Sequence, residues 1–164
     1  MDLNSWLRFL HIVAAVAFIG GIFARQVVRG RAAQSGDLSR FATLSEAAGL
    51  IETRLVIPGN AAVILIGIVY ALRIDAPILG FLTGDSRNWL LAANVLLVVG
   101  MLAVPLYFLP SGKRFDAVLT AALEQGSMTS DLRRAIDDPV TRVVHVAEIA
   151  LVVCVVFLMV FRPF

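Results

Sequence analysis

Four apolar stretches, at residues 6–24, 55–72, 89–109 and 140–161, each approach the ~20 residues that a helix needs to cross the hydrocarbon of a bilayer. Backbone amides in hydrocarbon must be satisfied internally, which restricts spanning structures to helices and closed barrels. Uninterrupted apolar runs of this length suit only helices. The sequence therefore predicts an all-α, polytopic transmembrane four-helix bundle, folded as one domain. Of its 164 residues 59% are hydrophobic and only 16% charged, and the mean hydropathy of +0.87 is one that a water-soluble domain would hardly sustain.

The isoelectric point near 9.2 does not point to nucleic acid, because the net charge is only +2 and no basic run is interleaved with aromatics. The placement of the cations says more. Arg25, Arg29, Arg31, Arg40 and Arg54 lie beside or between the first two spans, and Lys113, Arg114, Arg133, Arg134 and Arg142 between the last two. Arg8, Arg73, Arg87 and Arg162 fall on the other side. The positive-inside rule then makes the two long connections cytoplasmic and puts both termini outside, in a bacterial inner membrane. Trp6, Tyr70 and Trp89 sit at the outer ends of their spans, where amphipathic rings favour the headgroup layer. The first span lacks a small-x-small cleavage site and is followed by arginines, so it is expected to be retained as a helix.

Both long connections carry helical periodicity. Leu38, Phe41, Leu44, Ala48 and Ile51 recur at the spacing of one helical face, as do Phe115, Val118, Leu119 and Leu123 before Gly126. Two placements stay open for these amphipathic cytoplasmic stretches: flat in the headgroup interface, or presented to another protein. Asp138-Pro139 reads as the cap and first residue of the fourth span. The chain also divides into two similar halves, aligned on Trp6 with Trp89 and Arg54 with Arg142, as in a parallel repeat.

The lone cysteine, Cys154, supports neither a disulfide nor a thiolate metal site within one chain, and no phosphate-loop, HExxH or CxxC pattern occurs. Polar residues inside the spans are costly in lipid, which makes them the candidates for function. They form two layers. The outer one holds His11 and Asn94, with Tyr70 and Met159 at compatible depth; the inner one holds Asn60, His145 and Glu148, with Arg54, Glu52 and Tyr107 near the boundary. His145 and Glu148 are three apart and share a helical face, which suits proton handling. They equally suit an interhelical latch in which Glu148 bonds Asn60 or Arg54. Pro58 and Pro105 each free a carbonyl one turn upstream and are expected to kink their spans near this inner layer.

Two histidines in a four-helix membrane bundle raise the question of haem b. His11 and His145 enter from opposite faces and lie roughly 15 Å apart along the membrane normal, so they cannot share one iron. A haem held by His11, with Met159 or nothing opposite, is the form of that idea left standing.

The W-L-R-F-L-H-I opening with His11, the Gly20-Gly21 pair, the Arg54-x3-Pro58-Gly59 entry to the second span, and the stretch from His145-x2-Glu148 to Leu158-Met159-Val160-Phe161-Arg162-Pro163-Phe164 carry a resemblance over essentially the whole chain. The sequence resembles the bacterial predicted integral membrane proteins of domain-of-unknown-function family 2269. Its W-x-x-F-L-H opening is also similar to those of four-helix membrane haem-b protoporphyrinogen oxidases and copper-resistance membrane proteins. From those only His11 would carry over, as a haem or metal ligand. The sequence departs from them in having no lysine in any span and no second histidine at the depth of His11.

Three functions remain after this reading. The first is a non-catalytic structural or accessory membrane component embedded in the bilayer, as a homo-oligomer or a subunit of a larger complex. The second is a membrane redox protein carrying haem b on His11. The third is a proton-coupled carrier of a small solute using His145 and Glu148.

Overall fold

The computed structural model describes residues 2–164, and among them the chain is helical with no strand. Asp2 opens the first helix by accepting the Ser5 amide at 2.9 Å, which satisfies one of the amides that a helix start leaves free. The helix, α1 (Leu3–Ala33), spans about 46 Å at 1.5 Å per residue, longer than the ~30 Å hydrocarbon. Its arginine-bearing last turns therefore run past the apolar part. We call this end of the bundle the arginine-rich end.

Asp37 starts the next helix by accepting the Arg40 amide at 2.7 Å. This helix comprises α2 (Leu38–Ile51), a π turn (Glu52–Val56) and α3 (Ile57–Arg73), continuous over 36 residues. The π turn answers the demand of Pro58, which lacks an N–H. Instead of leaving the ladder broken, the chain widens so that the Ile57 amide reaches the Glu52 carbonyl five residues back. A second π turn contains Pro105 in the third long helix, which comprises α4 (Trp89–Ala103), this π turn (Val104–Phe108), closed by the Leu109 amide on the Val104 carbonyl, and α5 (Leu109–Gln125). The helices are thus widened where the prolines were expected to kink them. The π turns interrupt the second long helix and the third, so they do not follow the parallel repeat read from the sequence.

Gly126, at φ 64°, ends α5 in the left-handed conformation that favours glycine. A short α6 (Ser130–Ile136) follows, and Asp138 then caps α7 (Pro139–Phe161), accepting from the Val140 and Thr141 amides as its sequence predicts. Four of these helical runs are long and apolar enough to cross a membrane.

The helices pair as two antiparallel hairpins. In the first, α1 meets the second long helix at a steady register: Asn4 with Arg73, His11 with Gly67, Phe18 with Gly59, Gly21 with Val56 and Arg25 with Glu52. Gly59 is what lets the two approach, since a Cβ there would stand 3.0 Å from the Phe18 backbone. In the second, Gly100 of α4 faces Leu151 of α7, and the Phe164 carbonyl accepts the Asn88 and Trp89 amides at 3.0 and 3.1 Å. Backbone packing is dense inside each hairpin and sparse between them.

A small apolar core joins the hairpins at the arginine-rich end. Ala32, Phe41, Ala122 and Leu132, from α1, α2, α5 and α6, are buried together, flanked by Leu38, Leu44, Phe115 and Val118. The apolar faces of the two amphipathic stretches are turned on each other, with the Phe41 and Phe115 rings 6.0 Å apart. Elsewhere the outer surface is a belt of Leu, Val and Phe side chains, and it is this belt that contacts the bilayer.

Candidate functional site

The one buried charged residue among those described is Arg25, at 2% exposure, about 12 Å of helix short of the end of α1. A buried cation demands partners, and two carboxylates supply them. One guanidinium nitrogen donates to Glu52 Oε2 at the first residue of the π turn, and the other donates to Glu148 Oε2 on α7. Arg25 therefore bridges the two hairpins as well as the two helices of the first.

Around this bridge the polar contacts continue. His145, one turn before Glu148, has its Nδ1 3.4 Å from Glu148 Oε2, and its Nε2 lies 2.7 Å from Nη1 of Arg29. A guanidinium can only donate. Nε2 must then be the acceptor, so the imidazole is neutral and carries its proton on Nδ1, pointed at the carboxylate. Phe108, from the π turn of the third long helix, covers the ring at 5.7 Å between centroids. All four long helices thus converge here. Two arginines, two glutamates and a neutral histidine sum to no net charge, the condition under which such a group is tolerated in low dielectric.

A second polar chain lies one turn nearer the arginine-rich end. The Tyr107 hydroxyl is 2.9 Å from Thr141 Oγ1, which itself donates to Asp138 Oδ2 at 2.7 Å.

Of the residues proposed from sequence, the structure brings His145 and Glu148 together, and the partner of Glu148 is Arg25 where Asn60 or Arg54 had been expected. Arg54 is exposed and Asn60 half-buried; neither hydrogen bonds to the cluster. The outer residues are drawn to separate partners. Asn94 donates to the Ile78 carbonyl at 3.1 Å. His11 is turned into α3, where a Cβ on Gly67 would come within 2.9 Å of its Cε1, and its Nδ1 is buried without a hydrogen-bond partner. Met159 is half-buried on α7. Among the described residues no three His, Cys, Asp or Glu side chains are grouped to hold a metal ion. Grooves of about 600 and 250 Å³ lie near the termini, the larger lined by Leu91, Val95, Leu158 and Phe164.

Sequence reasoning missed Arg25 and Arg29, having assigned both to the charged flank of the first span. The available signal was their spacing of four residues on one face of α1, matched by the three-residue spacing of His145 and Glu148 on α7.

A family model described as "Predicted integral membrane protein (DUF2269)" matches residues 5–163. No curated protein and no solved structure matches the chain.

Proposed function

The chain belongs to the DUF2269 family of predicted integral membrane proteins, and from that premise we propose that it is a non-catalytic structural or accessory component of the bacterial cytoplasmic membrane, its arginine-rich end inside. One observation carries this reading: the only buried cation among the described residues is matched by two carboxylates drawn from different hairpins. Ionic groups engaged in this way hold helices together. The sparse backbone packing between the hairpins gives the bridge that task, and the apolar core at Phe41 and Leu132 supports it.

The haem reading draws on a single feature, the unpartnered Nδ1 of His11. Against it, the imidazole is wedged onto Gly67 of α3, while Met159 belongs to α7. Absorption spectroscopy on detergent-purified protein separates the two readings. The structural reading expects no Soret band; a band that disappears in His11→Ala would replace it with the redox one.

A further inference from the structure

The polar residues of α7 form a ladder. Asp138, Thr141, His145 and Glu148 follow at intervals of three, four and three residues, which keeps them on one helical face. The ladder begins at the half-buried cap Asp138 and ends at the bridge to buried Arg25. Beyond Glu148 every residue from Ile149 to Phe161 is apolar. We propose that His145 is a proton-binding site, reached from the arginine-rich end along this face, and that taking up a proton loosens the tie between α1 and α7.

The argument rests on hydrogen-bond direction. His145 Nε2 accepts from Arg29, and only the neutral ring offers it a lone pair. A proton from solution that binds Nε2 converts the acceptor into a donor, so that two donors confront each other where a 2.7 Å bond had been. The charged groups around the ring give the same answer. From α1 it faces Arg29 and, through Glu148, Arg25; from the π turn after α2 it faces Glu52, beyond Arg25; from the third long helix the Phe108 ring covers it, with the Tyr107 hydroxyl on Thr141 one turn away. Glu148 attracts an imidazolium, but its Oε2 is already engaged by Arg25. Protonation therefore moves the cluster from charge balance to an excess of one positive charge and removes the Arg29 bond. The contact between α1 and α7 then depends on Arg25 alone. Because proton uptake at this nitrogen changes a contact between two helices, the site operates as a sensor. A carrier would need a route past Ile149, and the apolar run from there ends the ladder.

This inference rests on the bridge between hairpins proposed above, and the test keeps the two apart. In a Cys154→Ala background, nitroxides placed through Val27→Cys and Val143→Cys, both exposed valines on α1 and α7, report the helix separation in proteoliposomes. The parent should show a longer and broader distance distribution at about pH 5 than at about pH 8. His145→Gln, which keeps an acceptor for Arg29 but cannot titrate in this range, should show one distribution at both. A pH-independent parent, or an unchanged shift in His145→Gln, overturns the sensor while leaving the bridge standing. Failure of the bridge itself appears differently, as an Arg25 variant of undiminished stability at every pH. Should His145→Gln not fold, nitrogen NMR on the parent, with His11→Gln for assignment, reads the tautomer directly. A neutral ring protonated on Nδ1 at about pH 8 supports the proposal, and a ring protonated on Nε2 refutes it.

Discussion

Arg25 and Glu148 stand 123 residues apart in the chain and are joined by an ion pair between the first and last membrane-crossing helices. Removing one partner of such a pair leaves the other charged without a counter-ion, whereas neutralising Arg25 and both of its carboxylates together leaves none of the three uncompensated. Arg25→Met is thus expected to lower stability by about 3–5 kcal/mol. Adding Glu52→Gln and Glu148→Gln to it should recover most of that loss. Thermal unfolding in detergent compares the variants, and a single variant as stable as the parent would remove the bridge from the account.

Glycine contacts between α1 and the second long helix make a sharper test of the first hairpin. At Gly59 an added Cβ meets the Phe18 backbone at 3.0 Å, and a backbone cannot step aside. Gly59→Ala should therefore cost about 1–3 kcal/mol, the range for overpacking. Gly20 has nothing within 4 Å of its Cβ position. Gly20→Ala should be neutral or stabilising by up to about 1 kcal/mol, since alanine is the better helix former. Equal melting temperatures for the two variants would contradict the packing described.

The apolar core at the arginine-rich end is predicted to unfold locally when it is emptied. Phe41 is 3% exposed and packs against Phe115, so Phe41→Ala should cost about 3–5 kcal/mol. Amide hydrogen exchange should accelerate in residues 110–136 and stay slow through α3 and α7. Uniform acceleration along the chain would show instead that this core and the bundle form one cooperative unit.

Sidedness is the most direct prediction. Reporters or cleavage sites inserted in the connections at residues 34–37 and 126–129 should be found in the cytoplasm, and both termini outside. An external location for either connection would reverse the assignment of the arginine-rich end.

Outside the spans, Asp85 titrates in a way that can be checked. The side chain and backbone amide of Arg87 donate to its carboxylate, at 2.8 Å from the backbone N and 3.0 and 2.6 Å from the guanidinium, and hold its pKa down at about 2. Because a lowered carboxyl pKa stabilises the ionised fold, this contribution is complete above the ordinary value of 3.8 and is lost as pH falls through about 2. Arg87→Ala should return the midpoint toward 3.8, as followed by carbon NMR of the Asp85 carboxyl. A midpoint that does not move would remove Arg87 as the cause.

The four membrane-length apolar helices and some helix boundaries were legible in the sequence because they depend on local rules. Apolar length gives the spans, Gly126 stops α5 by its left-handed φ, and Asp138 with Pro139 starts α7 by capping. The periodicity of Leu38, Phe41 and Leu44 showed an apolar face, yet it could not say what that face would cover. Phe115 and Leu132, distant in sequence, settled the point.

Arg25 shows where local reading stops. Next to an apolar run, an arginine looks like any boundary cation, and its neighbours Arg29 and Arg31 strengthen that impression. Its burial follows from the register of α1 against the second long helix, set by the close approach at Gly59 and Gly21, which brings Glu52 opposite it. The sequence by itself determined a lipid-spanning set of helices, because solvation of a backbone in hydrocarbon depends on nearby residues alone. The tertiary structure alone decided which charges meet, because the pairing of Arg25 with Glu148 is created by helix packing across 123 residues, and the spacing on each helix marks a polar face without naming its partner.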